Sequence, residues 1–329
     1  MMINSLSINI PRPETTIEHS DKLLLIGSCF TEHMGKRLHD AKFSIMENPH
    51  GILFNPLSVC NSLQQYLQGS PVREELFVYL HEVWHHWDFH SRFSHTDKEA
   101  ARMAMNNSIS AAHHFLAQAD WLMITLGSAF QYHLNDGDIP VANCHRAPGQ
   151  WFDKRLLSIT QITEALEQCI QALKQFNPKL KIIFTISPVR HIRDGVIANN
   201  RSKARLLEAV HSLVDTHSHC FYFPAYELLI DVLRDYRFYD IDMVHPNFAA
   251  TQTVWEAFAQ HYLSAAAQKL TDKMLALSTA MNHKIQFPGT SSHKKFGRDF
   301  LQKIKQYQLE YPHIDFSKEE AYFSGIANT

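Results

Sequence analysis

Leu23-Leu24-Leu25-Ile26-Gly27-Ser28-Cys29-Phe30 is an apolar run that ends on a serine, and an amphipathic stretch over residues 31–38 follows at once. The pattern predicts a buried strand, a turn and a helix. Ser28 then stands at the carboxyl edge of a parallel sheet, beside the positive end of a helix. Open α/β sheets bind their ligands at that edge. A hydroxyl placed there can attack a carbonyl, with nearby backbone N–H groups holding the oxyanion. Serine is also a common helix cap, and this segment alone fits both roles.

Working outward, residues 121–126, 181–186 and 220–223 read as further strands. Helical stretches lie between them, over 56–67, 97–119 and 202–214. Another opens at Ser158 with Gln161 three residues on, a capping-box pattern, and carries the stripe Ile159, Ile162, Leu166, Cys169 and Leu173. Strands alternating with helices argue for a parallel sheet covered on both faces. After about Ala266 the character changes. Residues 269–283 and 296–307 read as two helices, joined by 286–293 with Pro288 and Gly289. The expected division is a catalytic α/β unit over 1–265 and a helical C-terminal extension over 266–329.

Asp242-Met243-Val244-His245-Pro246 follows the last strand. An Asp and a His three apart on one turn can face the same way. The carboxylate then holds one imidazole nitrogen while the other points at a distant serine. Pro246 pushes His245 out of the helical region and suits the first position of the next helix.

Together and in this order, the two motifs make the chain resemble the GSCFA family, a branch of the GDSL-type (SGNH) esterase and lipase superfamily. Gly27-Ser28-Cys29-Phe30 spells the first four letters of the family name, and Thr31 stands where the fifth is Ala. Leu126-Gly127-Ser128, Asn143-Cys144-His145, Ser187-Pro188-Val189-Arg190-His191 and residues 233–239 look like the same family. The resemblance covers about residues 23–258. It implies a three-layer α/β/α, flavodoxin-like fold with a parallel central sheet. It also implies a triad with Ser28 as nucleophile, His245 as base and Asp242 as the orienting carboxylate. Two positions depart from the wider superfamily. Gly27 replaces the usual Asp before the serine, and Ala129 stands where an oxyanion-donating Asn is usual.

The expected activity is acyl-ester hydrolysis or acyl transfer on a short acyl ester of a carbohydrate or lipid. The backbone N–H groups of Ser28 and Gly51, with Asn143, are the candidate oxyanion donors. His90, His145, Arg190 and His191 are candidate substrate contacts. Cys29 competes with Ser28 as nucleophile, since a helix N-terminus lowers a thiol pKa, but strand geometry turns the two side chains apart. No cofactor and no metal are expected, because triad and amides already supply nucleophile, base and oxyanion stabilisation. Two other readings stay open: a binding protein that keeps the esterase fold without turnover, and a metal-dependent hydrolase on the patch from His85 to His95. In that patch, alternation would put His86, Asp88 and His90 on one face.

Composition narrows the remaining classes. The chain has 329 residues, 45% of them hydrophobic, and a formal net charge of −2, which points to no nucleic-acid partner. Residues 1–7 lack a charged n-region and a long apolar core, and no apolar run is long enough to span a membrane. Five dispersed cysteines without a Cys-x-x-Cys pair point to reduced thiols. The cytoplasm is the expected compartment and a small-molecule or carbohydrate ester the expected partner. The oligomeric state is not legible.

Overall fold

In the computed structural model, which describes residues 6–284 and 286–328, the opening apolar run forms strand β1 (Lys22–Gly27) and passes directly into helix α1 (Cys29–Asp40). Residues 1–5, part of the stretch read above for a leader, lie outside the described residues. β2 (Ser44–Glu47) and α2 (Pro56–Gln68) follow. A hairpin of β3 (Phe77–Leu80) and β4 (Val83–His86) precedes α3 (Lys98–Gln118) and β5 (Trp121–Leu126). Three antiparallel strands come next, β6 (Phe130–Leu134), β7 (Ile139–Val141) and β8 (Phe152–Leu156). Then come α4 (Ile159–Phe176), β9 (Lys181–Ile186), α5 (Val196–Thr216) and β10 (Cys220–Tyr222). The short α6 (Ala225–Glu227) widens into a π-helical turn over Leu228–Val232. α7 (Phe248–Tyr262), α8 (Ala265–Met281), α9 (Ser291–Glu310) and α10 (Ser317–Asn328) complete the chain.

The central sheet is parallel throughout, in the order β2-β1-β5-β9-β10. Strand order reverses between β1 and β5, and at that switch point the carboxyl ends of two strands leave a crevice. Ser28 lies one residue past β1 and Gly127 one residue past β5, with Gly27 in register with Thr125. The fold is thus the expected α/β layering. Alternation explains why its strands read as unbroken apolar runs. Leu24, Ile26, Leu122, Ile124 and Phe184 pack against α2, α3, α4 and α5, while Leu23, Leu25, Trp121, Met123 and Ile183 pack against α1, α7 and the C-terminal helices. Ser158 and Gln161 close the expected capping box at α4.

Several elements were not visible in the sequence. β2 is four residues long and only half-buried, so it carries no clear alternation. The β3–β4 turn places His81 and Glu82 at positive φ, 53° and 63°, without the Asn or Gly that usually marks such a turn. α5 starts at Val196, ahead of the expected 202, because its first turns bury polar residues. Pro246 does not begin α7. Asn247 caps that helix instead, its side chain accepting from the Ala250 N–H at 3.2 Å.

α10 was missed altogether, yet it helps close the second core. Phe316, Phe323 and Ile304 are buried with Phe30, Met34 and Leu38 of α1, and Lys42 pairs with Glu319 at 2.7 Å. No described helix is long and apolar enough to cross a membrane. Phe323 is fully buried and stacks on Phe300 at 4.8 Å. Phe323→Ala is expected to cost about 3–5 kcal/mol, read as a lower urea midpoint with an unchanged slope. An unchanged midpoint would show that the C-terminal helices do not share the cooperative unit of the sheet.

Candidate active site

The end of β1 is held by backbone on both sides. Gly27 has φ 149°, and a Cβ there would lie 2.3 Å from the Thr125 carbonyl oxygen. Its N–H donates to Asn48 Oδ1 (2.8 Å) and its carbonyl accepts from the Leu53 N–H (3.1 Å). Ser28 is extended and caps α1, its Oγ accepting from the Phe30 N–H at 3.3 Å. Its side chain sits where helix amides make the local potential positive, and the residue is only 2% exposed.

The Asp242–His245 turn forms at the same edge of the sheet. Met243 takes φ 58°, the Met243 N–H donates to the Asp240 carbonyl (2.9 Å), and the Asp240 N–H donates to the His245 carbonyl (2.8 Å). In this turn Asp242 Oδ1 accepts from the N–H groups of Val244 (2.9 Å) and His245 (3.0 Å), and Oδ2 lies 2.6 Å from His245 Nδ1. These bonds, the His245 amide first, hold the Asp242 carboxyl down at about 2. A carboxylate only accepts, so His245 Nδ1 carries the proton and Nε2 presents its lone pair. His245 lies near enough to His33 on α1 and to His191 beyond β9 to interact electrostatically with both.

His191 packs over the end of β5, its ring 4.9 Å from that of Phe54. A side chain at Gly127 would meet Phe54 Cβ at 2.9 Å and His191 Nε2 at 3.1 Å, so glycine is required for this approach. Burial, followed by the nearby Lys203 charge, brings the His191 pKa down to about 4. Arg190 donates its N–H to the Val244 carbonyl (3.4 Å) and lays its guanidinium 4.5 Å from the Tyr239 ring centre. It forms no salt bridge among the described residues. His90 donates its N–H to the His50 carbonyl (2.9 Å), half-buried at the loop that follows β2.

Three expectations are corrected. The Ser28 N–H donates to the Thr125 carbonyl (3.2 Å) and the Gly51 N–H to the Asn48 carbonyl (2.7 Å), so both amides are engaged within the protein. Asn143 uses its Oδ1 to accept from the His145 N–H (2.9 Å) and leaves its amide nitrogen. His145 was expected as a substrate contact and instead braces the loop from inside. It is 4% exposed, with Nε2 2.9 Å from the His86 carbonyl and Nδ1 3.2 Å from Ser91 Oγ, and burial takes its pKa to about 4. Cys29 has a raised rather than lowered pKa, because burial and then Glu32 outweigh the helix amides.

The histidine patch divides among separate partners. His86 Nε2 donates to the Arg73 carbonyl (3.0 Å), Asp88 pairs with Arg73 (2.8 Å), and His85 Nδ1 lies 2.7 Å from Ser94 Oγ. The expected common face fails because β4 ends at His86. Among the described residues no group of three His, Cys, Asp or Glu converges as metal ligands. A cavity of about 800 Å³ lies along β10, with Pro11, His211 and Glu227 in its lining and Ser28 outside it.

Sequence reading missed Lys203. It is 1% exposed, and its Nζ donates to the Ser187 carbonyl (2.7 Å) at the end of β9. Two α5 neighbours act alike: Asn199 Oδ1 accepts from the His191 N–H (2.9 Å) and Ser202 Oγ from the Ala129 N–H (2.7 Å). The signal was present, since 199, 202 and 203 extend the buried stripe of Leu206, Val210 and Leu213.

A family model described as the GSCFA family matches residues 22–258, and one described as "GSCFA domain protein, C-terminal domain" matches 274–325. No curated protein matches the chain. Among solved structures, the chain is similar to "a putative platelet activating factor from Streptococcus pneumonia", at 13% identity over 76% of this chain and 86% of that one, with a TM-score of 0.39. It is also similar to a carbohydrate esterase family 3 protein from Talaromyces cellulolyticus (10% identity, 77% and 99% covered, TM-score 0.36). An acetyl xylan esterase from Butyrivibrio proteoclasticus is a further match (13% identity, 81% and 65% covered, TM-score 0.35).

Burial lowers the Lys203 pKa from 10.5 to about 7. Between those values the unfolded chain binds more protons than the folded one, so this group makes stability rise with pH across that window. Lys203→Met has no titrating group at this position. The stability of the native protein relative to Lys203→Met is therefore expected to increase from about pH 7 to about pH 9, measured by urea midpoints. An equal difference at both pH values would show that the ammonium is not desolvated.

Proposed function

The chain belongs to the GSCFA family, and we propose that it is a serine-dependent acyl-ester hydrolase or acyltransferase of the SGNH type. The observation that carries this reading is the 2.6 Å contact of Asp242 with His245 Nδ1, at the sheet edge where Ser28 caps α1. His245 Nε2 accepts the Ser28 Oγ proton as Oγ attacks the ester carbonyl. Asp242 holds the imidazole in the required tautomer and stabilises the imidazolium. The Asn143 amide and the positive end of α1 are the groups left to hold the oxyanion. The tetrahedral adduct expels the alcohol, which takes its proton from His245. Water, or a hydroxyl of a second molecule, then accepts the acyl group. The small exposure of Ser28 favours a short acyl chain, and a carbohydrate or lipid alcohol remains the substrate class. Residues 1–265 form the catalytic unit in this reading and 266–329 support it.

A second reading, a binding protein that keeps the fold without turnover, draws on the engaged amides of Ser28 and Gly51. A fluorophosphonate probe separates the two. The hydrolase reading expects one adduct by intact mass, lost in Ser28→Ala. Failure of the native protein to label favours the binding reading.

Ser28→Ala and His245→Ala are each expected to lower aryl acetate turnover by roughly 10⁴–10⁶, with the double variant little worse, since such residues act as a unit. Asp242→Asn should stay folded and lose most of the rate through the wrong imidazole tautomer. Full activity in Ser28→Ala, with far-UV circular dichroism unchanged, would overturn the assignment.

A further inference from the structure

A pocket of about 370 Å³ opens beside the His245 turn and serves none of the steps above. Its walls include Arg190, Arg234, Asp231, Asp235, Tyr236 and Tyr239. It is tied to the turn by backbone: Tyr239 forms a bridge with Pro246, and the Arg190 N–H donates to the Val244 carbonyl. One wall is the π-helical turn that carries Asp231. Such turns are uncommon and often mark functional places.

Among the described residues, the Tyr239 hydroxyl lacks a hydrogen-bond partner and the Arg190 guanidinium lacks an ion-pair partner. Tyr239 is 8% exposed, and its buried hydroxyl has no hydrogen-bond partner among the described residues. An unsatisfied buried hydroxyl is costly, and a ligand oxygen relieves it. Arg190 lies over the Tyr239 ring at 4.5 Å and the Tyr236 ring at 5.8 Å, and among the described residues it meets no carboxylate within ion-pairing distance. Asp235 does not neutralise it. That carboxylate accepts from the Arg237 N–H (2.8 Å) and Nε (3.0 Å). This leaves Arg190 and Arg234 against Asp231, an excess of positive charge around a free phenol. Tyr236 is 65% exposed and offers a flat face at the rim.

We propose that this pocket is the subsite for the alcohol part of the ester and that it takes an anionic oxygen group on that alcohol, a carboxylate or a phosphate. Arg190 presents its fork to the anion, Tyr239 donates its hydroxyl, and Tyr236 covers the apolar face of the carbon skeleton. A guanidinium suits this task because its planar donors match two oxygens at once. The inference rests on Ser28 and His245 as the hydrolytic pair, since their position makes the pocket a neighbour of the leaving group.

Binding without turnover tests it separately. Glucuronate, glucose 6-phosphate and glucose are titrated calorimetrically into the full-length protein, its Arg190→Gln and Arg190→Lys variants, and Tyr239→Phe. Either anion should bind at least about tenfold more tightly than glucose, and the tighter of the two identifies carboxylate or phosphate as the group. The advantage should vanish in Arg190→Gln, return in part in Arg190→Lys, and shrink in Tyr239→Phe, which keeps the ring. Equal binding of glucose and the anions, no binding of any, or an advantage that survives both Arg190→Gln and Tyr239→Phe would overturn the proposal. Fluorophosphonate labelling of the same samples reports the hydrolytic pair alone. A labelled protein without anion preference fails only this inference, and an unlabelled one fails the hydrolase reading.

Discussion

The close approach of Gly27 to Thr125 is the constraint on which the sheet edge depends. With φ 149° and no room for a Cβ, Gly27 lets β1 finish against the backbone of β5. The next residue then bonds to the Thr125 carbonyl and turns into α1. On the other side the same glycine is clasped by Asn48 and Leu53, from the loop after β2. Ser28 is therefore placed by hydrogen bonds to segments on both sides of β1, two of them main-chain and one to the Asn48 side chain.

The loops around it need a different kind of support. Irregular backbone at a strand end cannot join a ladder, so its buried polar groups need other partners. α5 supplies them. Asn199, Ser202 and Lys203 project from its first turns to bind the segments after β9 and β5, while Leu206, Val210 and Leu213 hold the rest of the helix in the core. Using an ammonium for one of these bonds is expensive, because burial opposes the charged form. Lys203 thereby couples the segment bearing Arg190 and His191 to the protonation of a single side chain.

The central layers were legible because long, strongly apolar strands and caps such as Ser158 are local signals. The Asp242–His245 contact was legible for the same reason, as both partners lie within one turn. What escaped detection depends on tertiary context. β2 is half-covered, the β3–β4 turn uses His81 and Glu82 in place of the usual turn residues, and Lys203 hides a polar group on an apolar stripe. The common face weighed for the histidine patch does not form, because β4 ends at His86 and the alternation stops there. His145 misled because a histidine near a sheet edge has the same spelling whether it faces solvent or braces a loop.

The pairing of Asp242 with His245 has an evolutionary corollary. Their contact is made inside a short turn closed by the bond from the Asp240 N–H to the His245 carbonyl, whereas Ser28 arrives through the whole of the β1–β5 framework. Few folding contacts pass through the turn's side chains, so substitutions there are free of the core's penalties. In the proposed hydrolase, the Asp242–His245 pair can therefore be altered at a few exposed positions while the scaffold stands.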